Sequence, residues 1–184
     1  MNPGTEGTAM DGKTRDVPNG GADEAHNLSV YVANKPGVLA RIAQVFARRG
    51  YNIDSLVVSP SVDGHYSRMT ITAQGSREGL DQVMRQLGKL IDVMRCVDHT
   101  GEDAVVRELA LIKIGAGEEE RTPALQVVDH FGAKTVDLTE RSMTVLATGE
   151  SSKLDALIGL LARHRVIELV RTGKVVMARG EQAT

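Results

Sequence analysis

The chain has 184 residues, room for one large or two small domains, with 41% hydrophobic residues and a formal charge of −2. That balance carries no polybasic bias toward nucleic acid or an anionic membrane, and 3% aromatics without any Trp leave few platforms for stacked bases. A single cysteine excludes an internal disulfide framework, and the lack of an apolar span of about twenty residues or of an N-terminal signal core predicts a cytoplasmic protein with no membrane and no nucleic-acid partner.

Residues 1–26 are rich in Gly, Asp, Glu, Thr and Asn and nearly free of large aliphatics, so they read as a flexible tail. From Asn27 the elements alternate. Leu28, Val30 and Val32 alternate with Ser29, Tyr31 and Ala33, the period of a half-buried strand. The strand stops at Asn34-Lys35-Pro36-Gly37, because proline has no N–H to offer a ladder and restricts the residue before it. A helix begins at once, with Val38, Ile42, Val45 and Phe46 on one side and Arg41, Gln44, Arg48 and Arg49 on the other. Gly50 ends it. Tyr51 to Ser59 is a second strand carrying Ile53, Leu56, Val57 and Val58, and Pro60 to Gly64 is a turn with the hairpin pair Asp63-Gly64. Tyr66 to Ala73 is a third strand. Ser76 caps a second helix with Gly79 as a weak point and Leu80, Val83, Met84, Leu87, Leu90 and Ile91 as its buried stripe. Asp92 to Asp98 is the fourth strand, with Cys96 as a buried thiol.

The polar stretch Thr100-Gly101-Glu102-Asp103 then separates a second copy of the same order. Val105 to Ile114 is a long strand, with Val106, Leu109, Leu111 and Ile114 among its apolar positions. Gly115-Ala116-Gly117 leads into a helix whose first turn, Glu118-Glu119-Glu120, suits the positive end of the helix dipole, and Gly132 ends it. Thr135 to Thr139 and Met143 to Thr148 form a hairpin around Glu140-Arg141. Ser151 or Ser152 caps a helix with Leu154, Leu157, Ile158, Leu160 and Leu161. Val166 to Arg171 and Lys174 to Ala178 finish the sheet. Strand, helix, strand, strand, helix, strand, given twice, predicts an α+β chain of two ferredoxin-like βαββαβ domains, residues 27–100 and 101–184.

The chemistry concentrates at the first strand-to-helix turn. A helix start leaves backbone N–H groups unpaired and partly positive, which favours a carboxylate or phosphate, and Gly37 has no Cβ to keep a ligand away. Asn34 adds a side-chain carbonyl and an NH₂. The same residues also serve an ordinary capped turn. Catalytic constellations are thin. The histidines, His26, His65, His99, His130 and His164, are scattered, and no HExxH, Walker loop, GxSxG or paired CxxC occurs. Cys96 and His99 fall on opposite faces of a strand. Gly115-Ala116-Gly117 is too short for a phosphate loop and lacks its lysine, while Arg48-Arg49 reads as a solvated helix end rather than a phosphate clamp. Neither catalysis nor a metal site is expected of this chain.

Residues Asn27 to Thr100 resemble an ACT domain, a regulatory amino-acid-binding module. Asn34-Lys35-Pro36-Gly37-Val38-Leu39-Ala40-Arg41-Ile42-Ala43, Arg49-Gly50-Tyr51-Asn52-Ile53-Asp54-Ser55-Leu56 and Ser67-Arg68-Met69-Thr70-Ile71 together are similar to the small regulatory subunit of acetolactate synthase. Lys153-Leu154-Asp155-Ala156-Leu157 and Glu168-Leu169-Val170-Arg171-Thr172-Gly173-Lys174-Val175 resemble that family's C-terminal domain. The resemblance implies a non-catalytic subunit of branched-chain amino-acid biosynthesis. It would activate a catalytic large subunit carrying thiamine diphosphate, FAD and Mg²⁺, and itself bind none of these cofactors. It would also confer feedback inhibition by valine, in some members by leucine or isoleucine. It further implies a homodimer through the ACT domain, with the effector between Asn34, Gly37, Val38 and Leu39 of one protomer and Asn52 and Ile53 of the other. The alternative is a free-standing ACT sensor acting on a different enzyme or regulator.

Overall fold

A computed structural model describes residues 24–181. The expected tail lies outside them except for residues 24–26, which belong to the first strand. Alternation of buried Leu28, Val30 and Val32 starts β1 (Glu24–Ala33), followed by α1 (Val38–Arg48), β2 (Ser55–Pro60), β3 (Tyr66–Gly75), α2 (Arg77–Leu87) and β4 (Val93–Asp98). These strands form an antiparallel sheet in the order β2-β3-β1-β4. The chain then repeats the pattern in β5 (Ala104–Gly115), α3 (Glu118–His130), β6 (Lys134–Leu138), β7 (Ser142–Gly149), α4 (Ser151–Leu161) and β8 (Val166–Arg171), with sheet order β6-β7-β5-β8. Two ferredoxin-like layers result, each with its helices on one face of its sheet.

The core of the first domain follows the sequence period, whereas in β5 the expected Leu109 and Leu111 are only half-buried and the alternate positions Ala110 and Ile112 face the core, with Ile114. In the first domain Leu28, Val30, Val32, Met69 and Ile71 meet Val38, Ile42 and Phe46 of α1 and Leu80, Val83 and Leu87 of α2. In the second, Ala110, Ile112, Ile114, Met143 and Val145 meet Ala124 and Val128 of α3 and Leu154, Leu157 and Leu161 of α4. Each large aliphatic or aromatic side chain withdrawn in this way contributes about 1.5–3 kcal/mol.

Several elements differ from the sequence reading, each for a local reason. The strand β2 begins at Ser55, four residues later than expected, because Tyr51 is drawn aside: a Cβ added at Gly79 would lie 1.6 Å from its hydroxyl oxygen, and one at Gly75 2.2 Å from its ring. Gly79 therefore forms, with Gly75, a slot that admits the tyrosine, which is a different role from a weak point in a helix. The stripe of α2 stops at Leu87, so Ile91 is 88% exposed and Leu90 only partly buried. His26, assigned to the tail, is buried in β1 with Nδ1 3.0 Å from Asp98 Oδ2. Glu150 is the cap position of α4 and no side chain closes that end. The Ser151 hydroxyl instead donates to Glu108, a buried carboxylate also gripped by Arg171 through Nε at 3.0 Å.

The last strand, β9 (Val175–Ala178), is the fifth strand of the second sheet but lies off the β6-β7-β5-β8 path. It pairs with residues 104–107 of β5, from Ala104↔Ala178 to Arg107↔Val175, as a ribbon. That ribbon reaches the first domain: Arg68 Nη2 donates to the Val176 carbonyl, and Val176 is fully buried. On the side of the first sheet away from its helices, Ser29, Thr70 and Thr72 are buried as well.

Candidate functional site

The turn between β1 and α1 is built so that its backbone amides stay open. Gly37 takes φ +82°, a left-handed conformation that glycine adopts without steric cost, and it caps α1 with no side chain closing the helix start. The first turn holds no acidic residue. The Val38 amide donates weakly back to the Lys35 carbonyl at 3.4 Å, while the amides of Gly37, Leu39 and Ala40 have no acceptor among the described residues. Three N–H groups at the positive end of an 11-residue helix, with no carboxylate of their own, make an anion cradle. A Cβ built on Gly37 would meet no atom within 4 Å, so the space beside the cradle is open.

Neighbouring groups hold this turn in place. The Asn34 amide donates to the His65 carbonyl at 2.9 Å and its side-chain Nδ2 to the Gly64 carbonyl at 3.1 Å, tying the turn to the β2–β3 hairpin. With its nitrogen so engaged, Asn34 retains Oδ1 as an acceptor. From below, Asp92 accepts from Arg41 at 2.7 Å and lies 3.8 Å from Lys35 Nζ, and its carbonyl takes the Ala33 amide at 2.8 Å. Sequence reasoning missed Asp92. A lone carboxylate at a strand start gives no periodic signal, and only the fold brings it under a turn some 60 residues earlier. Val38 is buried, whereas Leu39 is 41% exposed and projects from the same turn.

Asn52 and Ile53 precede β2. Asn52 Nδ2 donates to Asp54 Oδ1 at 3.2 Å, again leaving its own Oδ1 unengaged, and Ile53 is partly buried against the core. Within one chain these residues do not meet the turn. Ser55 pairs with Thr72, and Thr72 with Asn27, whereas Asn34 follows Ala33 at the other end of β1. Six residues of strand separate Asn27 from Ala33, about 20 Å at strand rise. The two groups occupy opposite ends of one sheet. The strand between them, β2, is a sheet edge that pairs with β3 alone among the described residues, and Val58 on it is 44% exposed.

The remaining candidate chemistry disperses. Cys96 faces the core, where burial and the charge of Asp98 push its thiol up to about 11, while His99 turns to Glu102 at 2.7 Å. Among the described residues no three His, Cys, Asp or Glu side chains gather as a metal site, and no helix is long and apolar enough to cross a membrane.

Comparison with known proteins adds to this geometry. A family model described as an AHAS small subunit-like ACT domain matches residues 28–95, and one described as the small subunit of acetolactate synthase matches residues 107–180. The chain is 43% identical over 157 residues to an acetolactate synthase small subunit of Mycobacterium bovis, which covers 85% of this chain and 94% of the relative. It is 42% identical to a probable acetolactate synthase small subunit of Archaeoglobus fulgidus, across 85% of this chain and 98% of that one. The crystal structure of the acetolactate synthase small subunit from Thermotoga maritima superposes with a TM-score of 0.78 at 36% identity, over 86% of this chain and 99% of that chain.

Proposed function

Because the chain belongs to the acetolactate synthase small-subunit family, we propose that it activates a catalytic large subunit and makes that partner sensitive to valine. The observation that carries this reading is the open start of α1, three amides unpaired among the described residues, with a neighbouring amide carbonyl on Asn34 and aliphatic Leu39 beside them. A free amino acid presents a carboxylate, an ammonium and a side chain on one carbon. The amides of Gly37, Leu39 and Ala40 take the carboxylate, Oδ1 of Asn34 and Asn52 take the ammonium, and Leu39 and Ile53 flank the branched side chain, while Val38, buried beneath, anchors the turn to the core.

The magnitudes favour a site shared between two protomers. Micromolar affinity requires about −8 kcal/mol after association costs, while each charge-assisted hydrogen bond contributes about 1.5–3 kcal/mol and a buried valine side chain about 1.5 or more. One turn supplies too little. A twofold axis at the edge of β2 sets the β1–α1 turn of one chain beside Asn52 and Ile53 of its partner, joins the two sheets and satisfies the free strand edge. Ligand binding then favours one placement of the protomers, and a bound large subunit responds to it. A methylene is worth about 1–3 kcal/mol in an apolar pocket, so leucine and isoleucine compete at reduced strength. Catalysis, with thiamine diphosphate, FAD and Mg²⁺, stays with the partner.

The test is reconstitution with an acetolactate synthase large subunit. Gly37→Asp places a carboxylate beside the cradle in a left-handed position. It should abolish valine inhibition and the calorimetric heat of valine binding while the variant still activates the partner. Full valine inhibition of the Gly37→Asp complex would move the site elsewhere, and acetolactate formation by the small subunit alone would overturn the regulatory reading.

A further inference from the structure

The helix layer of the first domain carries a second feature that effector binding does not use. Between the last turn of α1 and the facing side of α2 lies a groove of about 560 Å³ lined by Arg48, Arg49, Gln82, Gln86, Tyr51 and Val45, with Gly79 forming its notch. None of its lining residues is acidic, and Asp81 of α2 lines a different depression, toward β4. Arg48 has no carboxylate partner among the described residues, and Arg49 bonds only a neutral amide, Nη1 to Gln82 Oε1 at 2.6 Å. Of the other described arginines, Arg41, Arg107, Arg171 and Arg179 each have a carboxylate within 3.3 Å, whereas Arg85 and Arg121 bond backbone carbonyls; Arg48 and Arg49 differ from these in standing side by side on one groove. In a chain of net charge −2, two adjacent guanidiniums without a counter-charge form a local positive field.

The lining also argues for the kind of occupant. Small-molecule pockets are mostly apolar and enclose most of their ligand. Here, among the described residues, Val45, the Tyr51 ring, Gly79 and side-chain stems give the apolar part of the lining, and the polar part is guanidinium, amide and hydroxyl. Such a surface matches carboxylate side chains presented by another protein, which Arg can grip in pairs while its partners stay near solvent.

The position of the groove gives it a regulatory consequence. Arg48, Arg49 and Tyr51 are continuous with Asn52 and Ile53, so one short loop has its first half in the groove and its second half at the proposed effector site. Tyr51, seated between Gly75 and Gly79, fixes that loop to α2. We propose that this groove receives an acidic segment of the catalytic large subunit, and that the loop from Arg48 to Ile53 couples effector occupancy to that contact. The proposal rests on the regulatory reading above.

The test compares Arg48→Glu/Arg49→Glu with the wild-type chain. In reconstitution with the large subunit, the small-subunit concentration for half-maximal activation should rise about tenfold or more at low salt, with the difference narrowing as salt screens it. Calorimetric valine binding to the free double variant should stay within about twofold of wild type. Arg48→Lys/Arg49→Lys should keep most of the activation, and Arg163→Glu, a charge reversal beyond α4 in the other domain, should leave the midpoint unmoved. An unchanged midpoint in the double reversal, or an equal rise with Arg163→Glu, would overturn the groove while leaving the regulatory reading intact. Loss of valine binding in the double reversal would assign the arginines to the effector site and also count against it. A wild-type chain that activates no large subunit would overturn both readings.

Discussion

The two domains share one topology, yet their first helices begin in opposite ways. At the start of α1 the capping glycine is left-handed, the first turn has no acid, and three amides are unpaired among the described residues. At the start of α3 Gly117 is extended (φ −68°, ψ 179°), the first turn is Glu118-Glu119-Glu120, and the Gly117 amide donates to the Glu120 carboxylate at 3.4 Å. Equivalent positions in the fold thus carry opposite local charge. The second domain supplies its own anion and the first leaves that place open. A repeated fold does not repeat a function, because a site depends on a few residues at one turn rather than on the layer that bears it.

The largest expected effect tests whether the domains are also separate in stability. Phe46 of α1 and Val128 of α3 are both buried to about 1% exposure against their own sheets. Phe46→Ala should lower the stability of the first domain by about 3–5 kcal/mol, and hydrogen exchange should show the loss in β1 to β4 and not in β6 and β7. Equal loss in both would mean that the ribbon and Arg68 weld them into one cooperative unit.

Next in size is the exchange of one helix start for the other. Ala40 occupies in α1 the position that Glu120 holds in α3. Ala40→Glu installs the missing carboxylate, which should weaken valine binding about 100-fold or more in calorimetry and leave the melting temperature equal or slightly raised. Undiminished binding would mean that these amides do not hold the ligand.

The smallest effect concerns acid. Burial alone would raise the carboxyl pKa of Asp98, but hydrogen bonds from Thr100 and His26 outweigh it and hold it below the ordinary 3.8. Its contribution to stability is therefore present above that ordinary value and is lost as pH falls through the lower folded one. Asp98→Asn should flatten the acid limb of the first domain's stability curve by a fraction of its height and leave β6 and β7 unaffected. An acid limb as steep as that of wild type would assign the pH dependence elsewhere.

Much of this was legible in the residues. Alternation in Leu28 to Val32 and the helical stripes from Val38 to Phe46 and from Ala124 to Val128 reflect side-chain burial on one face, whereas in β5 the larger Leu109 and Leu111 point to the face that is only half-buried. That burial is a local property of strand and helix periods. Asn34-Lys35-Pro36-Gly37 marked the turn, since proline and glycine act on backbone dihedrals wherever they stand. Boundaries were less legible, because Ile91 and Tyr51 are apolar without telling where a neighbouring element ends.

What the tertiary structure alone decided is long-range. It set Asp92 beneath the β1–α1 turn, seated Tyr51 in the slot between Gly75 and Gly79, and parted Asn34 from Asn52 to opposite ends of one sheet. It also set β9 against the start of β5, off the path of the other strands, where Arg68 of the first domain reaches it. Periodicity records which face of an element is dry. Which distant group arrives at that face depends on sheet order and strand register, and these are fixed only when the whole chain has packed.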